Sequence, residues 1–221
     1  MLKGFVINLD NRPERYQQFL DQTSSVKSID IERVSAVNKI PDELVNKDAI
    51  KKKKTDFNYY GTICCALSHL SVYRKIATSD KPNNCALVFE DDFACILPDI
   101  RINFDRYINK VLEIAPKDFD VIYLNDITKC VPKYNNIIHD SNFKLISPFE
   151  SNNVQPTCES YIISKGFATE LIEYIEQNIY EIDILLVDYV KQFNKKAYVL
   201  NNPLGCQYNR TDTDIQRFRH N

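Results

Sequence analysis

Apolar residues recur along this chain in two rhythms. Short dense runs at residues 2–9, 85–89, 119–124, 160–164 and 197–200 are long enough for buried strands and too short for helices, and residues 29–37 read as a further strand. Between them lie helical stripes. Ile63, Ala66, Leu67, Leu70, Tyr73 and Ala77 form one face of the clearest helix, which Gly61 opens. Ile100, Phe104, Ile108, Val111 and Ala115 form another after Pro98, and Phe167, Leu171, Ile172 and Ile175 a third over residues 166–177. Pro13 suits the first turn of a helix reaching about residue 22, and Asp183 starts one more. Residues 38–60 and 127–155 carry no strong period and read as surface loops, the first with a short helix.

Strands alternating with helices imply an α/β fold, a mostly parallel central sheet flanked by helices. Ligands of such sheets bind beyond the carboxyl ends of the strands. Three predicted strands end there in polar groups: Asn8 and Asp10, Glu90-Asp91-Asp92, and Asn125-Asp126.

The 221 residues favour one domain spanning 1–221, and 44% hydrophobic with 26% charged residues is an ordinary globular balance. A formal charge of −2 gives no electrostatic case for nucleic acid or an anionic membrane, and the basic run 51–54 reads as a solvated loop. No stretch reaches the ~18 apolar residues of a transmembrane segment. The start lacks the pattern of a signal peptide, and the seven cysteines are odd in number and without a CxxC pair. A cytoplasmic protein with reduced cysteines is expected.

Glycine is scarce, four residues in all, and neither G-x-G-x-x-G nor a P-loop occurs. A nucleotide's phosphates would then need a carboxylate-held cation in place of a glycine-rich cradle. Glu90-Asp91-Asp92 suits that task, because three adjacent carboxylates repel and a cation relieves them. Strand alternation points Glu90 and Asp92 one way and Asp91 the other. The competing reading is a solvated acidic turn.

Ser68-His69 lies in the strong helix, where His69 borders the apolar stripe and reads equally as a satisfied core histidine. Arg12 and Arg15 flank the first helix start and could reach a phosphate or a uracil, or be surface arginines. Asp183, at a helix start, is either a cap or a base kept ionised by the helix dipole. Asp188, five residues on, does not share its face closely.

Several of these segments together resemble glycosyltransferase family 25. They are the opening Phe5-Val-Ile-Asn-Leu-Asp-Asn-Arg-Pro-Glu-Arg15, the helix segment Ala66-Leu-Ser-His-Leu-Ser-Val-Tyr-Arg74 and the acidic segment Ala86-Leu-Val-Phe-Glu-Asp-Asp92. Weaker blocks follow at residues 120–124, 161–164 and 213–215. The resemblance implies a GT-A-like fold, a UDP-sugar donor, often UDP-galactose, and Mn2+ or Mg2+. It implies a glycan or collagen-like protein acceptor, either a lipopolysaccharide core sugar or hydroxylysine. Carried over by position, Asn8, Arg15, Ser68, His69, Glu90 and Asp91 become nucleotide-sugar-binding residues. Glu90, Asp92 and Asp214 become metal ligands, and Asp183 the catalytic base. The sequence departs from the family pattern at Thr62-Ile63-Cys64-Cys65, where Glu-Ile-Gly-Cys is usual, and at Thr213, where Ser is usual. That departure keeps open a catalytically inactive relative that binds nucleotide sugar. A phosphoryl-transfer enzyme is disfavoured because no P-loop or kinase-like lysine motif occurs.

Overall fold

The computed structural model describes residues 1–44, 59–79, 84–125, 144–146 and 157–207. The order is β1 (Leu2–Asn8), α1 (Pro13–Gln22), β2 (Ile29–Ser35), a 3-10 turn at Asp42–Leu44 and α2 (Tyr59–Thr78). Next come β3 (Cys85–Glu90), β4 (Phe93–Cys95), α3 (Pro98–Ile102), α4 (Phe104–Ile114) and β5 (Val121–Tyr123). The remainder is β6 (Leu145–Ile146), β7 (Ser160–Ser164), α5 (Lys165–Gln177), α6 (Ile182–Gln192), β8 (Ala197–Leu200) and β9 (Gly205–Gln207). None of the described helices is long and apolar enough to cross a membrane.

Seven strands form one sheet in the order β2-β1-β3-β7-β5-β8-β6. The pairs β1/β2, β1/β3 and β5/β8 are parallel, whereas β7 runs against β3 and β5, and β6 against β8. Five strands therefore share one direction, the mostly parallel α/β sheet expected. The chain passes from β1 through α1 to β2 on one side, then through α2 to β3 on the other. This reversal at β1 opens a crevice beyond the carboxyl ends of β1 and β3.

The pleat of the central strands distributes two cores. Phe5, Ile7, Ala86, Val88, Tyr161 and Ile163 face α2, α5 and α6, while Val6, Leu87, Phe89 and Ile162 face α1 and α4. Both faces are apolar because helices cover both.

Two details differ from the sequence expectation. The helix after Pro98 is broken at Asn103, whose side-chain amide donates to the Asp99 carboxylate at 2.8 Å. An asparagine that bonds locally competes with helical continuation. A two-stranded antiparallel ribbon, β4 with β9, stands beside the main sheet, and the chain beyond Asn201 builds half of it. The basic run 51–54 and the blocks at 126–143 and 208–221 lie outside the described residues.

Candidate active site

A cavity of about 190 Å³ occupies the crevice. The end of β1, the segment after β2, the start of α2 and the acidic triplet after β3 line it, with Gln207 of β9. Of the predicted residues, Asn8, Arg15, Ser68, Glu90, Asp91 and Asp92 line it together, although they come from four separate segments.

The triplet divides at the end of β3. Glu90 is the last strand residue, so the pleat sends its side chain to the α2 face; Asp91 and Asp92 already belong to a turn. Asp91 therefore does not point away from the cavity as strict alternation predicts. Its carboxylate accepts a 2.6 Å hydrogen bond from the Asn8 amide and pairs with Arg15. Arg15 also pairs with Asp92 at 3.1 Å, and Gln207 donates to Asp92 at 2.9 Å. The second carboxylate oxygen of Asp92, Oδ1, is buried without a partner.

Asn8 is held at every side-chain atom. Its amide also donates to the Arg12 carbonyl at 3.0 Å, and its oxygen accepts from Arg33 at 2.8 Å. It thus fixes Asp91 in place. Ser68 donates to the Cys64 carbonyl at 2.7 Å and accepts from the Val37 amide at 2.8 Å, tying α2 to the segment after β2.

His69 is fully buried and does not reach the cavity. One ring nitrogen, Nδ1, shares a 2.7 Å hydrogen bond with the Tyr161 hydroxyl, itself 2.8 Å from that of Tyr73. The other, Nε2, lies 3.2 Å from Glu90 Oε1. Both sequence readings of His69 hold in part: it is a satisfied core histidine, and its partner is a cavity residue. Burial lowers its pKa to about 4, so the ring is neutral. Glu90 is driven well above the usual carboxylate range, first by burial and then by Asp92, Asp183 and Asp91.

Asp183 lies in the first turn of α6 and is not its cap. Helix α6 begins at Ile182 with Glu181 in the capping position, and the Asp183 carboxylate accepts from the Cys158 amide at 2.8 Å. Burial raises its pKa, contrary to the expectation of a carboxylate kept ionised. It acts electrostatically on Glu90, His69 and Glu159 without lining the cavity. Asp188 accepts from Tyr180 at 3.0 Å, separate from this group. Asp214 and Asp126 lie outside the described residues.

Glu159 precedes the reversed strand β7, is buried, and accepts from the Asn125 amide. Burial, then Asp183 and Glu90, push its carboxyl up to about 8, so it is largely protonated at neutral pH. Only the direction of β7 reveals that a residue before a strand sits at this edge.

A buried crevice with a split acidic motif, an arginine and a neutral histidine matches the placement of the segments compared above. The family model described as glycosyltransferase family 25 (LPS biosynthesis protein) matches residues 1–186. The chain belongs to glycosyltransferase family 25. Its fold is α/β, a mostly parallel central sheet flanked by helices. The family match takes in Asn8, Arg15, Ser68, His69, the acidic triplet and Asp183, and stops short of Gln207 and Asp214.

Solved glycosyltransferases are similar at low identity. GlyE of Streptococcus pneumoniae TIGR4 is 10% identical with a TM-score of 0.46, over 90% of this chain and 45% of that one. The galactosyltransferase LgtC, solved with donor and acceptor sugar analogues, is 8% identical with a TM-score of 0.45, over 90% and 73%. Mouse xyloside xylosyltransferase 1 is 8% identical with a TM-score of 0.44, over 90% and 84%. This family 25 chain spans less than half the length of GlyE. No curated protein matches it in sequence.

Proposed function

We propose that residues 1–221 act as one glycosyltransferase domain that moves a sugar, galactose first among candidates, from a UDP-sugar to an acceptor hydroxyl. Arg15, Ser68, Glu90 and Asp91 contact the donor, while Asn8 holds Asp91 and His69 acts through Glu90. Glu90 and Asp92, joined by Asp214, hold Mn2+ or Mg2+. The observation that carries this reading is the buried, unpartnered Oδ1 of Asp92 in a cavity at the switch point of the sheet. A carboxylate oxygen without a donor is costly to bury, and a divalent ion is a fitting partner. Bound there, the ion supplies positive charge to the departing diphosphate. If configuration inverts, Asp183, which does not line the cavity, takes the acceptor hydroxyl's proton through a bridging water. The acceptor is a lipopolysaccharide core sugar or a collagen-like hydroxylysine.

Calorimetric titration with UDP tests the donor half. Binding is expected to be tight with Mn2+ and weak after chelation; equal affinity in both conditions would refute metal-dependent donor binding.

One observation favours a second reading, a nucleotide-sugar-binding relative without catalysis. Arg15 already sits between Asp91 and Asp92, supplying the positive charge that a metal would bring. Slow release of UDP from UDP-galactose without acceptor separates the two readings, since only an enzyme hydrolyses the donor.

A further inference from the structure

We propose that Cys65, His69 and Glu90 form a second metal site, for a thiolate-preferring ion of the Zn2+ class, on the α2 side of the cavity. The proposal goes beyond the donor reading and does not require it. One ligand atom from each residue lies within 4.8 Å of the other two. His69 Nε2 and Glu90 Oε1 are 3.2 Å apart, and Cys65 Sγ lies 3.9 Å from the same oxygen. Tetrahedral zinc with bonds of ~2.0–2.3 Å places its ligands roughly 3.3–3.7 Å from one another, so small side-chain shifts close the site.

The fold brings the three together for separate reasons. Cys65 and His69 are four residues apart on α2 and so lie one above the other on the same face. Glu90 arrives from the last pleat of β3. The outer groups suit a metal as well. A ligating histidine needs a neutral ring oriented by a hydrogen bond at its other nitrogen, and His69 has that bond to Tyr161, supported in turn by Tyr73.

A cation at the centre of the three supplies the charge that a thiolate beside crowded carboxylates needs. Cys65 and Glu90 line the cavity, which gives an access path and leaves the fourth coordination position facing it. Glu90 is common to this site and the donor's, so Cys65 and His69 set the two apart: thiolate and imidazole select zinc, and carboxylates with diphosphate select manganese or magnesium.

Metal-free protein is titrated with Co2+ and followed by the thiolate-to-cobalt charge-transfer absorption. Zinc retained after dialysis is counted per chain by mass spectrometry. The expected result is one ion per chain and a charge-transfer band that is lost in Cys65→Ser and kept in Cys64→Ser. Tyr161→Phe, which removes the support of His69, is expected to weaken Co2+ binding about 10–100-fold. Glu90→Gln and His69→Gln delete the other two ligands, so the result does not depend on one variant folding. The proposal is overturned if the native protein shows no band, or if the band survives in Cys65→Ser. No nucleotide is present in this assay, so failure here leaves the UDP titration untouched, and failure of that titration leaves this readout untouched.

Discussion

The two sides of the acidic triplet are built on opposite principles. On the α1 side, a buried guanidinium spans Asp91 and Asp92, Asn8 donates to Asp91 and Gln207 to Asp92, and Asp92 Oδ1 is left without a donor. On the α2 side, Glu90 faces a neutral imidazole and a thiol, with the carboxylate of Asp183 adding to the crowding. One side is partly neutralised by Arg15, and the other meets no guanidinium or ammonium group among the described residues. Three consecutive residues serve two environments because the strand ends between the first and the second.

The comparison breaks most visibly in kinetics. If the α2 side carries the chemistry, Asp183→Asn is expected to lower turnover about 10²–10⁴-fold while leaving UDP affinity unchanged. Asparagine still accepts from the Cys158 amide, so the start of α6 is preserved. Steady-state rates beside a UDP titration read the two effects separately, and near-native turnover would move proton transfer away from Asp183.

The α1 side is probed through stability. Arg15→Met leaves two buried carboxylates without their cation and is expected to cost about 3–5 kcal/mol in chemical denaturation. Saturating Mn2+ is expected to restore part of that loss. A variant as stable as the native protein would show that Arg15 does not balance the pair.

The smallest effect concerns Glu159. A carboxyl raised from 4.5 to about 8 in the folded state binds its proton more tightly there than in the unfolded chain. Between those values the unfolded state holds fewer protons, so stability falls as pH rises through the window. Glu159→Gln is expected to flatten that fall and to stabilise the metal-free protein by roughly 1–3 kcal/mol at pH 8. Parallel pH–stability profiles for the two proteins would instead place Glu159 in water.

Much of this was legible in the residues. The apolar runs of β1, β3 and β8, the stripe of α2 and the acidic triplet are local patterns, and each fell within a residue or two of its expected place. What the pattern could not carry was direction and distance. Nothing in residues 160–164 says that β7 runs against its neighbours, so Glu159 and Cys158 gave no sign of lying at the carboxyl end of β3. The contact of Gln207 with Asp92 spans 115 positions and depends on strands of three residues each, too short to leave a period. Asp183 misled for a related reason. Its position at a helix start was read correctly, but its partner is a backbone amide 25 residues earlier.

The β4–β9 ribbon sets a rule on the order in which this sequence can change. A side chain at Gly205 would enter the ring of Phe93, which lies two residues along β4 from Cys95, the register partner of Gly205. Position 205 is therefore closed to every other residue while Phe93 remains. Phe93 is also stacked among Phe19, Phe89 and Phe104, so it cannot shrink without opening a void in that aromatic group. The two positions are locked to each other, and a lineage that drifts at one must already have altered the other. Gln207, two residues further on, rides on that lock, so the reach of the ribbon to the cavity is inherited together with the aromatic group around Phe93.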